Sequence, residues 1–234
     1  VFQFDAIGYV HSPFKEKFGI PRQPGLTQSL RTRIHLQPPY NHPDTTKGLT
    51  DCSHIWIIFV FNATQDQGWH ATVRPPRLGG NKRLGVFASR STFRPNPIGL
   101  SVARLVGITY EGDELILEVA DADLLDGTPV LDIKPYLPYA DSLPEAHFSL
   151  GSKPDPLALP VLFSPQAKAF CQQYQQTQGE PLQEQITELL RCDPRPAYQT
   201  SSERVYGMRL HELNLRWSVS DSTIQVIDIL PVTA

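Results

Sequence analysis

The chain of 234 residues has little of what builds membrane, secreted or metal-held proteins. Its longest unbroken apolar run, Ile55 to Phe61, is seven residues, against the ~20 needed to cross a bilayer. The first twenty residues carry Asp5, Lys15, Glu16 and Lys17 and lack an apolar signal core, so a cytoplasmic protein is expected. Cysteine is scarce: Cys52, Cys171 and Cys192 are widely spaced, with no C-x-x-C pair. They read as reduced thiols, not a zinc site. The seven histidines form no H-E-x-x-H and no pair at helical spacing, so no metal is expected. No G-x-G-x-x-G follows a strand and no G-x-x-x-x-G-K-[ST] occurs, which disfavours a doubly wound cofactor domain.

What is abundant is proline, 22 residues spread along the chain beside 15 glycines. That distribution argues against long helices and for short strands joined by stiff turns. Charge is segregated. Residues 67–110 contain no Asp or Glu but hold Arg74, Arg77, Lys82, Arg83, Arg90, Arg94 and Arg104. Residues 111–156 contain eleven acids and only Lys134 and Lys153. Either the two blocks neutralise one another, or the fold gathers the first on one face as a polyanion-binding surface.

Candidate strands are Ala6 to His11, Ile34 to Leu36, Ser53 to Phe61, Arg83 to Ala88, Ser101 to Val106 and Leu115 to Ala120, with a turn at Glu111-Gly112-Asp113. Ser53 to Phe61, apolar on both faces, is expected to be central. A short helix is expected near Pro43 to Leu49. This pattern predicts a mainly β protein: an N-terminal β-barrel over 1–146, a Pro-rich linker over 147–163, and a small α+β domain over 164–234. In the last, Ser164-Pro165 opens a helix that stops at Gly179, and Pro181 opens another ending before Asp193-Pro194. Arg204 to Val219 and Thr223 to Ile229 are expected to pair as a hairpin.

Four loops carry chemistry. Pro21-Arg22-Gln23-Pro24-Gly25 holds an open backbone. Residues 74–83 set glycines among arginines. Residues 89–101 lock Asn96 between prolines beside Arg90, Phe93 and Arg94, a set suited to a base edge, a stacking face and a phosphate. In residues 121–136, an Asp-Gly-Thr-Pro turn leads into a strand whose alternation places Val130, Asp132, Lys134 and Tyr136 on one face. A lysine beside carboxylates and a tyrosine is either a structural ion pair or a tuned acid–base set.

In that order, PRQPG, TVRPPRLGGNKRLGVFASRSTFRPNPIGLS and DLLDGTPVLDIKPYLPYADS resemble the TsaA-like family. The full length, including Asp193-Pro194-Arg195-Pro196-Ala197-Tyr198, is similar to its bacterial tRNA (adenine-37 N6)-methyltransferases. The resemblance implies a non-Rossmann, β-barrel methyltransferase acting as a homodimer. Its cofactor would be S-adenosylmethionine. Its substrate would be N6 of N6-threonylcarbamoyladenosine at position 37 of threonine tRNA. By position it implies cofactor contacts from Pro24, Gly25, Leu26, Asn62, Ala63, Arg90, Leu100, Asp126, Gly127, Thr128 and Pro129. Candidate catalytic residues are Asp132, Lys134 and Tyr136, with Asn96 orienting the base. Arg74, Arg77, Lys82, Arg83 and Arg94 would meet anticodon-loop phosphates, and Arg195 with Tyr198 would line the tRNA side. The rival expectations are a non-catalytic RNA-binding β-barrel module and a barrel enzyme using another nucleoside cofactor.

Overall fold

Alternating apolar and polar residues, rich in β-branched side chains, commit the first half of the chain to strands with one buried face. The computed structural model describes residues 3–75, 82–149, 155–195 and 204–232. In chain order the first half forms β1 (Gly8–His11), β2 (Arg31–Leu36), β3 (His54–Val60), β4 (Thr72–Val73), β5 (Leu84–Gly85), β6 (Ile98–Glu111), β7 (Glu114–Ala120), β8 (Pro129–Pro135) and one helical turn, α1 (Pro138–Asp141). Six strands pair antiparallel in the order β1-β2-β7-β6-β3-β8, and β8 pairs back onto β1, closing a barrel. Val10, Ile34, Ile55, Ile57, Ala103, Leu115, Leu117, Val119 and Val130 fill its interior. Gly99 is required there: a Cβ would lie 2.3 Å from the Phe59 ring, so any side chain would displace that ring.

The second half adds β9 (Val161–Phe163), α2 (Pro165–Gln178), α3 (Leu182–Arg191), β10 (Val205–Leu210), β11 (Leu213–Val219) and β12 (Ile224–Pro231). The sheet runs β10-β11-β12-β9, with β9 parallel to β12. Ser164 caps α2 by accepting the Ala167 N–H at 3.0 Å, and Gly179, at φ +75, ends it. Leu182, Ile186, Leu189 and Leu190 give α3 one buried stripe, which packs with Trp217, Leu215 and Val226. Phe14 and Leu30, from the segment between β1 and β2, are buried in this second core. Glu188 of α3 accepts the Gln28 N–H, the Ser29 N–H and the Ser29 hydroxyl. The barrel's first long loop is therefore part of the C-terminal packing.

Several expectations are corrected. Arg83 to Ala88 is not one strand: it forms the two-residue β5, paired only with β4, and then a 3-10 turn over Val86–Ala88. Without a barrel strand beside it, the segment gains no ladder to extend it. The helix near Pro43 to Leu49 is two 3-10 turns, Pro43–Thr46 and Leu49–Asp51, broken at Gly48 with φ +82. The residue range 147–163 is not all linker, since β12 recruits β9 from it. The segment ending at Val219 pairs with the one from Ile224 as expected, but Arg204 to Val219 also folds on itself at His211, whose φ is +53. Finally, a bulge opposite Ile58/Phe59 shifts the register of β8. Val130 and Ile133 consequently join the core while Asp132 and Lys134 lie on the outer face, so the four residues do not share one side.

Candidate active site

The loop from 121 to 128, between β7 and β8, is where the other loops meet. It starts with Asp121 at φ +66, a conformation a short polar side chain tolerates. The Asp121 carbonyl accepts the Gly25 N–H at 2.9 Å, and its Oδ2 faces Arg104 Nε at 3.2 Å. Its Oδ1 is buried without a hydrogen-bond partner among the described residues. Two residues on, Asp123 accepts the Ser101 hydroxyl. Burial pushes the Asp123 carboxyl up, against the opposing pull of Ser101, its own backbone N–H and the Arg90 guanidinium. A protonated carboxyl can donate as well as accept.

The Asp-Gly-Thr-Pro turn is clipped to β1. The Asp126 carboxylate accepts the Ser12 N–H at 2.9 Å and pairs with Lys15 Nζ at 2.9 Å. The Gly127 N–H donates to Val10 O at 2.8 Å, and Thr128 O accepts the Val10 N–H at 3.0 Å. Asn62, just past β3, points its Nδ2 at Gly127 O at 3.5 Å, and the Ala63 carbonyl accepts Lys17 Nζ at 3.1 Å. Gly25 (φ +78) and Gly127 (φ +73) both open toward free space, with no atom within 4 Å of a Cβ built on either.

The opposite wall is the 22–26 loop. Arg90 donates to the Gln23 side-chain oxygen, joining this loop to the 89–97 loop. Behind it, the Cys192 thiol lies 3.5 Å from Leu26 O, and Arg22 Nη2 donates to Arg195 O at 3.1 Å. Pro24, Gly25, Leu26, Asn62, Ala63, Arg90 and Asp126 to Pro129 thus sit on loops tied to one another. Leu100 stands apart: it pairs with Ile58 on the outer barrel face and is 56% exposed, while Ser101 beside it turns inward.

The expected catalytic residues spread along this outer face. Asn96 lies in the turn entering β6, at the same barrel end as the Asp126 turn, since Ile98 pairs with Val60 and Phe59 with Val130. Asp132 pairs with Lys134 Nζ at 2.6 Å. Tyr136 packs on Trp56 and His54, at ring separations of 5.7 and 6.4 Å. At ~3.3 Å per strand residue it stands roughly 20 Å along from Pro129, so within one chain Tyr136 does not join Asn96.

Arg74, Lys82 and Arg83 are exposed around the β4–β5 pair. Arg94 donates to Val86 O and Ser89 O. Arg195 is engaged by Asp193 at 2.7 Å and is 17% exposed, so a phosphate contact would have to displace that pair. Arg77 and Tyr198 lie outside the described residues. Arg22, Ser101, Asp121 and Asp123 all lie in loops that the sequence singles out, but none of them is marked there as an individual site residue, because their contacts reach across the chain.

Family models describe both halves: the tRNA-methyltransferase O N-terminal domain matches residues 9–142, and the TrmO C-terminal domain residues 156–232. The chain is 47% identical over 232 residues to the tRNA (adenine(37)-N6)-methyltransferase of Escherichia coli K12, covering 98% of each. It is 45% identical over 225 residues to a Pseudomonas aeruginosa protein named putative S-adenosylmethionine-dependent methyltransferase RcsF, covering 95% of each. A crystal structure of TrmO from P. aeruginosa superposes with a TM-score of 0.82 at 38% identity, covering 99% of this chain and 97% of that one. A match of this extent, over both halves and the whole fold, makes the chain a member of the TrmO family of tRNA methyltransferases.

Proposed function

We propose that this protein is an S-adenosylmethionine-dependent tRNA methyltransferase that acts on N6 of adenosine 37. Its substrate is the threonylcarbamoylated base of threonine tRNA, and it works as a cytoplasmic homodimer. The observation that carries the reading is that the 22–26 and 62–63 segments meet the Asp121–Pro129 loop, with Arg90 tied to Gln23 of the first. The residues suit the cofactor. Two positive-φ glycines leave open space at the turns, and Asp121 Oδ1, without a partner among the described residues, and the Asp123 carboxyl can meet hydroxyl or ammonium groups. When bound, S-adenosylmethionine supplies an electrophilic methyl group on a sulfonium.

The protein's own part is positioning and proton management. Pro24 to Leu26, Asn62, Ala63, Arg90 and Asp126 to Pro129 hold the cofactor, and Asn96 orients the adenine edge. Placing reactants at near-attack separation provides much of the acceleration in such transfers. The carbamoyl substituent on N6 acidifies that nitrogen, so a modest base suffices. Asp132, with Lys134 beside it, accepts the N6 proton on the outer face; Tyr136 belongs to the far end of the same strand and lines the site of the other subunit. The exposed Leu100 and Ile98 on that face support contact between subunits. Arg74, Arg77, Lys82 and Arg83 meet loop phosphates. Mass analysis of nucleoside 37 after incubating threonine tRNA with protein and S-adenosylmethionine tests the reading. A gain of one methyl on the threonylcarbamoylated base is expected. Tight tRNA binding without cofactor binding by calorimetry would instead identify a non-catalytic RNA-binding barrel.

A further inference from the structure

The most solvent-exposed rings of the cation-rich segment belong to neither the cofactor loops nor the catalytic candidates. Val86 is buried and anchors the 3-10 turn Val86–Ala88, which the Ser89 hydroxyl closes by donating to Val86 O at 2.9 Å. That turn leaves Phe87 facing outward, 78% exposed. A phenylalanine left in water forgoes the gain of burying its apolar surface. Arg94 fixes the ring's surroundings: one Nη donates to Val86 O at 3.2 Å and Ser89 O at 2.8 Å, and the guanidinium carbon lies 5.8 Å from the Phe87 centroid. The irregular segment that leads into β4 carries a second bare ring, Trp69, 57% exposed. Val86 N–H donates to Ala71 O and His70 N–H to Phe93 O, so the two segments form one unit, with His70 packed on Phe93 at 5.1 Å. Arg90, on the same loop, reaches the cofactor-side Gln23. Phe93, the ring expected to stack on a base, is taken up by His70; Phe87 is the free one.

We propose that Phe87, held beside the Arg94 guanidinium, is a stacking platform for an unpaired base of the tRNA anticodon loop, with Trp69 as a second exposed ring on the adjoining segment. This rests on the methyltransferase reading and deepens it. The occupant follows from charge. The platform lies in a 44-residue segment, 67–110, without a single acid and with seven Arg or Lys residues. Bare aromatic rings among cations suit single-stranded nucleic acid, where rings take the bases and cations the backbone.

The test uses the full-length protein and a threonine-tRNA anticodon stem-loop. Phe87→Ala should weaken stem-loop binding by about five- to hundredfold, the range of one lost base–aromatic stack. S-adenosylmethionine affinity by calorimetry should hold, and so should the slope of log affinity against log salt, because stacking releases no counterion. Phe87→Trp should restore binding, and stem-loop binding should quench Trp69 fluorescence in the parent but not in Trp69→Phe. An abasic substitution at the stacked loop position should weaken the parent and leave Phe87→Ala unaffected. Stem-loop affinity equal to the parent's in Phe87→Ala overturns the platform alone. A changed sedimentation mass for Phe87→Ala overturns it too, by assigning the ring to a contact between copies. A parent that binds no stem-loop overturns this inference together with the methyltransferase reading.

Discussion

The end of the barrel and the C-terminal unit place their polar groups differently. At the barrel end, Asp121 sits at positive φ with a bare carboxylate oxygen, Asp123 keeps a buried carboxyl, and Phe87 stands in water. Each of these costs stability. In the C-terminal unit, Gln185 is wholly buried yet meets His211, Glu180 and Ser29, and α2 is capped at both ends. Among the described residues its bare polar atoms are Tyr206 Oη and Trp217 Nε1, the tips of rings stacked 4.8 Å apart inside the core, and Arg209 Nε on β10. The barrel-end features stand on loops that converge on one another, whereas those of the second unit sit within its packed sheet and helices, so that unit behaves as a buttress. The segment from Phe14 to Leu30 joins the two.

The largest test of that division is Phe14→Ala. Emptying this site in the second core should cost about 3–5 kcal/mol by urea unfolding. Cofactor affinity should fall as well, because the buried ring anchors the backbone whose Phe14 carbonyl accepts the Asp126 N–H. If affinity survives in the folded variant, the two regions are independent and the buttress idea fails. Glu188→Gln should cost about 1–3 kcal/mol, since one carboxylate serves three donors on Gln28 and Ser29. Equal urea midpoints for variant and parent would remove that joint from the account.

A smaller and purely functional effect is expected at the barrel side. Lys82→Ala and Arg83→Ala should each flatten the salt dependence of tRNA binding by about 0.7–0.9 in slope, with stability within ~0.5 kcal/mol of the parent. An unchanged slope would place these cations away from phosphate. The smallest effect concerns Asp123. Its folded-state pKa is raised above the ordinary 3.8 by burial, so the folded protein holds that proton more tightly than the unfolded chain. Stability from this group falls as pH climbs from the ordinary carboxylate range through the raised value, and stays low above it. Asp123→Asn should therefore have a higher denaturant midpoint than the parent at neutral pH, and lose the advantage below the ordinary carboxylate range. No advantage at neutral pH would show that the carboxyl is not held at a cost.

Much of the architecture was legible because it rests on local chemistry. The two-faced apolar run from Ser53 became β3, paired on both sides, and Ser164, Pro165 and Gly179 bounded a helix as caps should. The features that escaped are those where a partner strand decides. The composition of Arg83 to Ala88 predicts a strand through Phe87; lacking a barrel neighbour, the segment curls into a 3-10 turn and turns the ring outward. The acid–base face of β8 was read by simple alternation, and one bulge moved Val130 inward while Asp132 stayed out.

By itself the sequence determined the mainly β class, the two capped helices, the separation of basic and acidic blocks, and the loop motifs that match the TrmO family. These depend on neighbours within a few residues, or on identity alone. Only the tertiary structure decided that Asp121 presents its carbonyl to Gly25, that Arg22 reaches the Asp193 to Arg195 segment, and that Phe14 leaves the barrel for the other core. Those contacts join residues more than ninety positions apart. Their energy comes from burial and hydrogen bonds that exist only once the ring of strands has closed, and no local pattern encodes them.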